Sequence, residues 1–194
     1  AVKWYRRAAD QGFAQAQYNL GVIYDESESK PYDLKEAWKW YLLAAEQGLA
    51  NAQLSLGRKY EIGEDGPQNE EEAAKWYRRA ANQGLASAQF NLGILYFAGK
   101  GVSKDEKEAK KWFHLAAEKG HSAAQLNLGF IYASGSVTPA NAAHAYMWWD
   151  IAASNGLKGA IRNRDIIVEK MTPSQIAEAQ KLARECVAKG YKGC

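Results

Sequence analysis

Glycine recurs in this chain at an interval of 36 residues, and that interval constrains the fold more than any other feature. The glycine of each Leu-Gly pair follows it: Gly21, Gly57, Gly93 and Gly129. A tryptophan keeps the same interval: Trp4, Trp40, Trp76, Trp112 and Trp148. A catalytic motif is needed once per active site, whereas stacked structural units are needed many times. The period therefore indicates one supersecondary unit written repeatedly.

Composition excludes several classes of protein. The 194 residues include 47% hydrophobic and 24% charged side chains, which is typical of a folded chain and not of a disordered one. The formal net charge is +3, with 8 basic and 13 acidic residues in 1–72 and 17 and 9 in 73–194. This dipolar layout could orient a charged partner, but it does not by itself indicate nucleic acid. No apolar run approaches the roughly 18 residues of a membrane span, so we expect no membrane insertion.

Each unit is predicted to be two helices. In the third unit Asn69 is a helix cap and Glu72 completes a capping box. The cap pattern recurs at three other places: Asp33/Glu36, Asp105/Glu108 and Asn141/His144, the last without the glutamate. The capped helix, called helix B, ends at Gly84, as expected for a left-handed C-terminal glycine. Helix A follows as ASAQFNLGILYFA, and no alternation of strand period is present, so the predicted fold class is all-α.

The motif residues resemble a known family of repeats. The spacing Leu20-Gly21-x-x-Tyr24 is that of the tetratricopeptide motif, with a period of 36 in place of 34 and with Gln17 where that motif has tryptophan. Together with A-x-x-W-Y-x-x-A-A-x-Q-G in the second helix and GKGVSKD at 99–105, the pattern resembles the Sel-one-like repeat family. The resemblance implies a right-handed α/α superhelical solenoid that acts as an adaptor or scaffold. Bacterial members of the family are often exported and act in envelope assembly, signalling or host contact.

The period predicts a single repeat domain over residues 1–194. Its predicted parts are a partial first repeat, four full repeats, and a degenerate repeat with a C-terminal capping helix: 1–12, 13–48, 49–84, 85–120, 121–156 and 157–194. Ala1 matches Ala37 by register, so we expect at least one repeat before it in the parent protein. Arg164 and Asp165 replace the Leu-Gly pair in the last segment.

The last predicted helix begins with Thr172 as cap, Pro173 in its first turn and Gln175 completing a capping box. We expect it to cover the last apolar face of the array. An M-T-P-x-Q ending is typical of bacterial members of the family, so we expect this to be the true C-terminus.

A binding function would use the side of helix A that faces away from helix B. On a helical wheel with Leu20 inward, positions 15, 18, 22 and 25 point outward, and in a tetratricopeptide-like superhelix they line the concave groove. The predicted partner-binding residues on this face are mostly apolar: Tyr18, Val22, Leu54, Arg58, Phe90, Ile94, Phe97, Leu126 and Phe130. Exposed apolar patches often mark partner sites, although position 18 has the alternative of packing against the neighbouring helix A. The groove suits an extended or helical peptide with apolar anchors.

An asparagine ladder runs beside these residues, with serine at the remaining position: Asn19, Asn91, Asn127 and Ser55. In related repeats an asparagine there can clamp a peptide backbone, so the three asparagines are candidate clamp residues. Structural hydrogen bonding is the alternative, and we favour it slightly.

No catalytic or metal site is indicated. His114, His121 and His144 lack the spacing of zinc ligands and have no cysteine pair nearby, so we predict neither metal nor cofactor. The SESK segment at 27–30 matches the S-x-x-K of penicillin-interacting serine enzymes, but no companion K-T-G exists. Cysteine-rich relatives linked to β-lactam binding leave a β-lactam-interacting enzyme as a minor alternative. The basic pairs on helix B alternate with acidic loops, so nucleic acid is not an expected partner.

Cys186 and Cys194 are the only cysteines. A disulfide between them would close a small loop that contributes about 2–3 kcal/mol, and it would imply an oxidising compartment. The alternative is a buried thiol on the helix and a frayed terminal residue. We favour the disulfide, which requires Cα atoms within about 7 Å of each other.

Together these observations predict a non-enzymatic adaptor, periplasmic or secreted by a bacterium, that binds a protein or peptide along its concave face. The main alternative is a structural spacer of a larger envelope protein whose activity lies in an N-terminal region outside this chain. A monomer is the favoured oligomeric state.

Overall fold

The computed structural model describes residues 2–26, 34–63, 68–135 and 141–194. Within these ranges the chain forms eleven α-helices and no strand, which confirms the all-α prediction. The helices are α1 Val2–Asp10, α2 Ala14–Glu26, α3 Leu34–Glu46, α4 Ala50–Ile62, α5 Glu70–Asn82, α6 Ala86–Ala98, α7 Glu106–Ala117, α8 Ser122–Ser134, α9 Ala142–Ser154, α10 Lys158–Val168 and α11 Pro173–Ala188.

The helices are grouped in two compact units. Unit 1 comprises residues 1–88 and 99–103, and unit 2 comprises residues 89–98 and 104–194. Helices α2, α4, α6 and α8 are A helices, and α1, α3, α5, α7 and α9 are B helices. In unit 1, α2 packs on α3 and α4 packs on α5, while in unit 2 α9 contacts α8, α10 and α11. The core of each unit therefore lies between successive A and B helices.

Every B helix is followed by a glycine in the left-handed conformation. The φ angles of these glycines lie between 79° and 92°: Gly12, Gly48, Gly84, Gly120 and Gly156. A side chain is strained in this region because its Cβ approaches the following carbonyl. The glycine ends helix B and lets the chain return as the next A helix, as the sequence predicts for Gly84.

The capping side chains of three B helices accept backbone N–H bonds as predicted: Asn69 from Glu72, Asp105 from Lys107 and Glu108, and Asn141 from His144. The capping box predicted at Asn69 and Asp105 is nevertheless one-sided. Each cap donates its own N–H to a tyrosine carbonyl nine residues earlier, at 2.9 Å: Asn69 to Tyr60, Asp105 to Tyr96 and Asn141 to Tyr132. Because that donor is already bonded, the box glutamates form ion pairs with lysines three residues later: Glu72 with Lys75, and Glu108 with Lys111.

The remaining predicted caps have different outcomes. At the start of α11 the box is complete, because the Thr172 N–H donates to Gln175 Oε1 (2.8 Å) and the Gln175 N–H donates to Thr172 Oγ1 (3.3 Å). Asp33 lies outside the described residues, so the pair with Glu36 is not described.

The glycine of each Leu-Gly pair lies against an aromatic ring of the following B helix. The pairs are Gly21 with Tyr41, Gly57 with Tyr77, Gly93 with Phe113, and Gly129 with Trp149. A Cβ at Gly57 would lie 2.6 Å from Tyr77 Cδ1, well inside van der Waals contact. Glycine is therefore required here by the close approach of a side chain and not by backbone conformation.

A buried glutamine of α4 connects α3 with the residue that follows α5. Gln53 Nε2 donates to the Ala45 carbonyl (3.0 Å), and Gln53 Oε1 accepts from Gln83 Nε2 (2.8 Å). Equivalent bonds are made by two other glutamines: Gln17 with Ala9 and Gln47, and Gln125 with Ala117 and Asn155. These glutamines are almost inaccessible to water, so the bonds satisfy amide groups that would otherwise be buried without partners. The network explains physically why a polar residue occupies the place of the tetratricopeptide tryptophan.

Replacing Gln53 with leucine is expected to lower the free energy of unfolding by about 1–3 kcal/mol, because two hydrogen bonds at a buried side chain are lost and each contributes about 0.5–1.5 kcal/mol. The matched control is Gln83→Ala. Gln83 is exposed, and removing its side chain opens Gln53 Oε1 to water, so the expected cost is below about 1 kcal/mol. Urea unfolding followed by circular dichroism compares the two variants. Equal losses in the free energy of unfolding would show that the buried Gln53 side chain contributes no more than the exposed Gln83 side chain.

Candidate partner-binding surface

The residues at position 18 of the A helices are all half-buried: Tyr18, Leu54, Phe90 and Leu126. The Tyr18 ring centroid lies 5.7 Å from that of Tyr41. The Phe90 ring lies 5.8 Å from Phe113 and stacks on His121 at 4.6 Å. One side of these rings thus packs on the chain's own helices, and the opposite side remains accessible.

The residues at position 22 form what we call the outer row: Val22, Arg58, Ile94, Phe130 and Ile166. Val22 and Ile94 are half-buried, whereas Arg58 is exposed. Phe130 is 48% exposed and Ile166 is 44% exposed, and Phe97, one turn beyond Ile94 on α6, is 43% exposed. The Phe130 ring meets Trp149 edge-on with centroids 5.5 Å apart, so its orientation is fixed although nearly half of it faces solvent. In unit 2 the outer row is apolar on α6, α8 and α10.

Two exposed isoleucines on this face did not emerge from the sequence. Ile166 lies 36 residues after Phe130, so extending the register into the degenerate unit would have found it. Ile62 is exposed at the end of α4, four residues after Arg58 and hence on the same helical face. The only sequence feature that could have identified Ile62 is its i, i+4 spacing from Arg58.

The three asparagines of the ladder are half-buried. Asn19 Oδ1 accepts a hydrogen bond from Gln15 Nε2 (3.0 Å), and Asn127 Nδ2 donates to the Ala123 carbonyl (2.8 Å). Both bonds join residues four apart on one helix. The side chains of Asn19 and Asn127 are thereby oriented along their own helices, while Asn91 occupies the equivalent place on α6.

The end of the A helix face is polar in unit 1. Asp25 accepts hydrogen bonds from the Tyr41 hydroxyl (3.1 Å) and from Lys59 Nζ (2.6 Å). Glu61 accepts a hydrogen bond from the Tyr77 hydroxyl (2.6 Å). An acid at this position is thus matched by a tyrosine on the next B helix.

In unit 2 neither member of that pair is kept. Phe97 and Ala133 stand where unit 1 has acids, and Phe113 and Trp149 stand where it has tyrosines. Helices α6 and α8 contain no charged residue at all. An apolar partner would therefore meet a surface without ionic groups on these two helices.

The histidines serve packing and capping. Burial, with a smaller contribution from Lys110, lowers the pKa of His114 to about 4. Its ring contacts Trp148 edge-on at 5.6 Å. His144 stacks on Tyr132 at 5.1 Å, and burial lowers its pKa too. No group of three or more His, Cys, Asp or Glu side chains that could hold a metal occurs among the described residues.

Acid is expected to destabilise unit 2 through His114. In the unfolded chain this imidazole has its ordinary pKa of 6.5, against about 4 in the fold. Between about pH 6.5 and pH 4 the unfolded state therefore binds more protons, and the free energy of unfolding falls as the pH falls. We expect His114 to account for about 1–3 kcal/mol of that loss.

Urea titrations of the wild type and of His114→Gln at about pH 7, 5.5 and 4.5 measure how steeply the free energy of unfolding of each protein depends on pH. The variant shares every other titrating group, so it should lose less stability across this range. Parallel slopes would contradict the assignment to His114.

The C-terminal tail is tied to unit 2. Cys186 and Cys194 form a disulfide, with Cα atoms 5.6 Å apart. The Gly193 N–H donates to Glu118 Oε1 (3.2 Å), and the Tyr191 ring lies over Gly120. The tail thus returns to the turn that follows α7, and Cys194 packs against the core of this unit.

None of the described helices has the length and apolar character that a membrane span requires.

Helix pairs repeated every 36 residues, with glycine–aromatic contacts and glutamine bonds between successive helices, define a helical-repeat solenoid. The Sel1 repeat model matches residues 1–13, 14–49, 50–85, 86–121 and 122–157. The chain belongs to the Sel1 repeat family, which confirms the resemblance drawn from the motifs.

Solved structures agree with this fold. A protective antigen present in uropathogenic Escherichia coli strains, which displays an SLR fold, matches with a TM-score of 0.87 and 37% identity over 98% of this chain. The chain spans only 42% of the length of that protein. A Sel1 repeat protein from Oxalobacter formigenes matches with a TM-score of 0.78 and 31% identity, covering 95% of this chain and 78% of that one.

A third structure, cysteine rich protein B of Helicobacter pylori, matches with a TM-score of 0.52 and 24% identity. It covers 64% of this chain and 94% of that one, and it supports the fold alone. No curated protein matches the chain significantly. Sel1 repeat proteins are generally scaffolds for protein interaction, and the family is typically non-enzymatic.

Proposed function

We propose that this chain is a non-enzymatic adaptor that binds a protein or peptide along the outward face of its A helices, the concave face expected of stacked repeats. The observation that carries the proposal is the exposure of Phe97, Phe130 and Ile166, each above two fifths, on α6, α8 and α10 of one unit. Large apolar side chains repeated on one exposed face favour a partner site over a solvated surface.

The size of the apolar contribution limits the kind of partner. Burying a fully exposed side chain of this size contributes roughly 1.5–3 kcal/mol, and these three are already more than half-buried. We therefore expect each of the three side chains to contribute about 1 kcal/mol to the free energy of binding. A micromolar complex needs about 8 kcal/mol, so the partner must be a segment long enough to contact the position 18 residues and the asparagine ladder as well.

The disulfide between Cys186 and Cys194 supports an oxidising compartment, so the proposed location is the periplasm or the exterior of a bacterial cell. This location defines the fractions in which a partner should be sought.

The experiment is a pull-down from envelope and secreted fractions with three proteins: the wild type, a variant with Phe97→Asp and Ile166→Asp, and a matched control with Leu115→Asp and Val187→Asp. The control residues are 41% and 51% exposed but lie on α7 and α11, away from the outer row. Circular dichroism first establishes that all three are equally folded.

A partner held by the wild type and the control but lost by the Phe97→Asp/Ile166→Asp variant supports the proposal. A partner retained by all three proteins would contradict the proposed binding surface. If no protein is captured at all, the spacer role replaces the adaptor role.

A further inference from the structure

We propose that α10 gives the outer row a cationic end, formed by Lys158 and Arg162, which selects partner segments carrying an acidic residue next to their apolar anchors. This inference rests on the proposed function and names the partner chemistry that the surface fits. All the residues involved belong to unit 2.

Helix α10 occupies the place of an A helix, although its Leu-Gly signature is lost. It follows α9 and packs on it. Ala160 is fully buried in an apolar cluster that contains Trp149 of α9, and Leu126 of α8 packs against the same cluster. Helices α8 and α10 thus both pack on this cluster, and Ile166 lies 36 residues after Phe130, at the same register position.

The two cations lie on the same face as Ile166. Lys158, Arg162 and Ile166 are four residues apart in turn, so they form one stripe along α10. All three are exposed. The first half of the stripe is therefore positive and the second half is apolar.

The corresponding positions of the other units carry no charge. At the position of Lys158 they have small residues: Ala14, Ala50, Ala86 and Ser122. At the position of Arg162 they have aromatic residues or leucine: Tyr18, Leu54, Phe90 and Leu126. The charges are thus specific to the fifth unit, whereas the isoleucine of the outer row is kept.

Nearby carboxylates do not neutralise the stripe. Arg164, on another side of the helix, pairs with Asp150 and Asp165, both at 3.0 Å. Within the described part of the chain, neither Lys158 nor Arg162 takes part in an ion pair. Glu169 is exposed but follows Ile166, at the far end of α10.

Charge complementarity follows from this arrangement. A segment whose apolar side chains cover Phe130 and Ile166 would extend past Arg162, where a carboxylate would meet two cations and no competing acid on α8. An ion pair at the rim of an interface changes affinity only modestly. We expect the acidic residue to tighten binding about three- to tenfold.

The test uses a phage-displayed library of random dodecapeptides selected on the full chain, followed by two synthetic peptides. One is the most enriched sequence, and the other replaces its Asp and Glu by Asn and Gln. Fluorescence anisotropy measures both on the wild type, on Lys158→Glu/Arg162→Glu, and on Arg184→Glu, a control with an exposed arginine on α11. A fourth protein, Phe97→Asp/Ile166→Asp, tests the exposed apolar residues of the proposed surface.

The expected result is enrichment of peptides that combine apolar and acidic residues. Neutralising the acids should weaken binding about three- to tenfold on the wild type and on Arg184→Glu, and it should not weaken binding to Lys158→Glu/Arg162→Glu. Enrichment of apolar peptides without acidic residues would overturn the charge inference, and so would an equal loss of affinity on all proteins. Either outcome would leave the proposed apolar binding surface in place. No enrichment, or binding insensitive to Phe97→Asp/Ile166→Asp, would overturn the proposed function and this inference with it.

Discussion

Replacing Asp25 with alanine is expected to lower the free energy of unfolding of unit 1 by about 3 kcal/mol, a large loss for one residue on a helix end. Lys59 Nζ lies 2.6 Å from Asp25 Oδ1, and the Lys59 side chain is only 4% exposed. Removing the acid leaves an ammonium group in a place that water scarcely reaches. The desolvation of that charge is then offset less well than in the wild type.

The same physics predicts the opposite result for the lysine. Ile23, Leu95 and Ile131 occupy the position of Lys59 in the other A helices, so the site accepts an apolar side chain. Lys59→Leu is therefore expected to be neutral or stabilising, because a buried ion pair is often no better than well-packed hydrophobic residues. The double variant Asp25→Ala/Lys59→Leu should recover most of the stability that Asp25→Ala loses.

Urea unfolding followed by circular dichroism at about pH 7 measures all three variants. The expected order of stability places Asp25→Ala lowest and the other two near the wild type. A cost below about 1 kcal/mol for Asp25→Ala, or a Lys59→Leu variant as unstable as Asp25→Ala, would mean that water already solvates the ammonium group.

The second large effect is expected at the close contact of α4 with α5. Alanine normally favours a helix over glycine by about 1 kcal/mol, yet Gly57→Ala is expected to destabilise the protein by about 1–3 kcal/mol. The new Cβ would lie 2.6 Å from Tyr77 Cδ1. The ring cannot retreat easily, because Tyr77 is fully buried and its hydroxyl is held by Glu61.

Gly159→Ala is the matched control. Gly159 also lies in a helix, but a Cβ there meets nothing within 4 Å. This variant is expected to be stabilised by up to about 1 kcal/mol, so the two substitutions should have opposite signs. Thermal and urea midpoints read out both, and Gly57→Ala combined with Tyr77→Ala should cost less than the sum of the two single changes. Strict additivity would show that the ring and the glycine do not clash.

The sequence predicted the fold because the features that specify it are local and repeated. Caps such as Asn69, C-terminal glycines such as Gly84, and the period itself follow from residues within one unit. The one-sided capping box could not be foreseen, since the competing acceptor is the carbonyl of Tyr60, nine residues away in the preceding helix. Local capping rules consider only the neighbouring side chain.

The candidate surface was less predictable for a related reason. A helical wheel treats each helix as isolated and therefore gives no account of the rings of Tyr41 and Phe113, which cover part of Tyr18 and Phe90. Ile166 was missed because the motif around it is lost, although its register is intact. Burial at these positions depends on the following helix, which a pattern within one unit does not contain.

The glutamine network also bears on how the gene for such a chain can change. Each glutamine donates to a carbonyl eight residues earlier and accepts from an amide thirty residues later. Duplicating or deleting a whole block of 36 codons preserves both offsets at the new junction. A shorter insertion inside a helix breaks them. Recombination between misaligned copies of the repeat can therefore lengthen or shorten the array in one event and keep both offsets at the new junction.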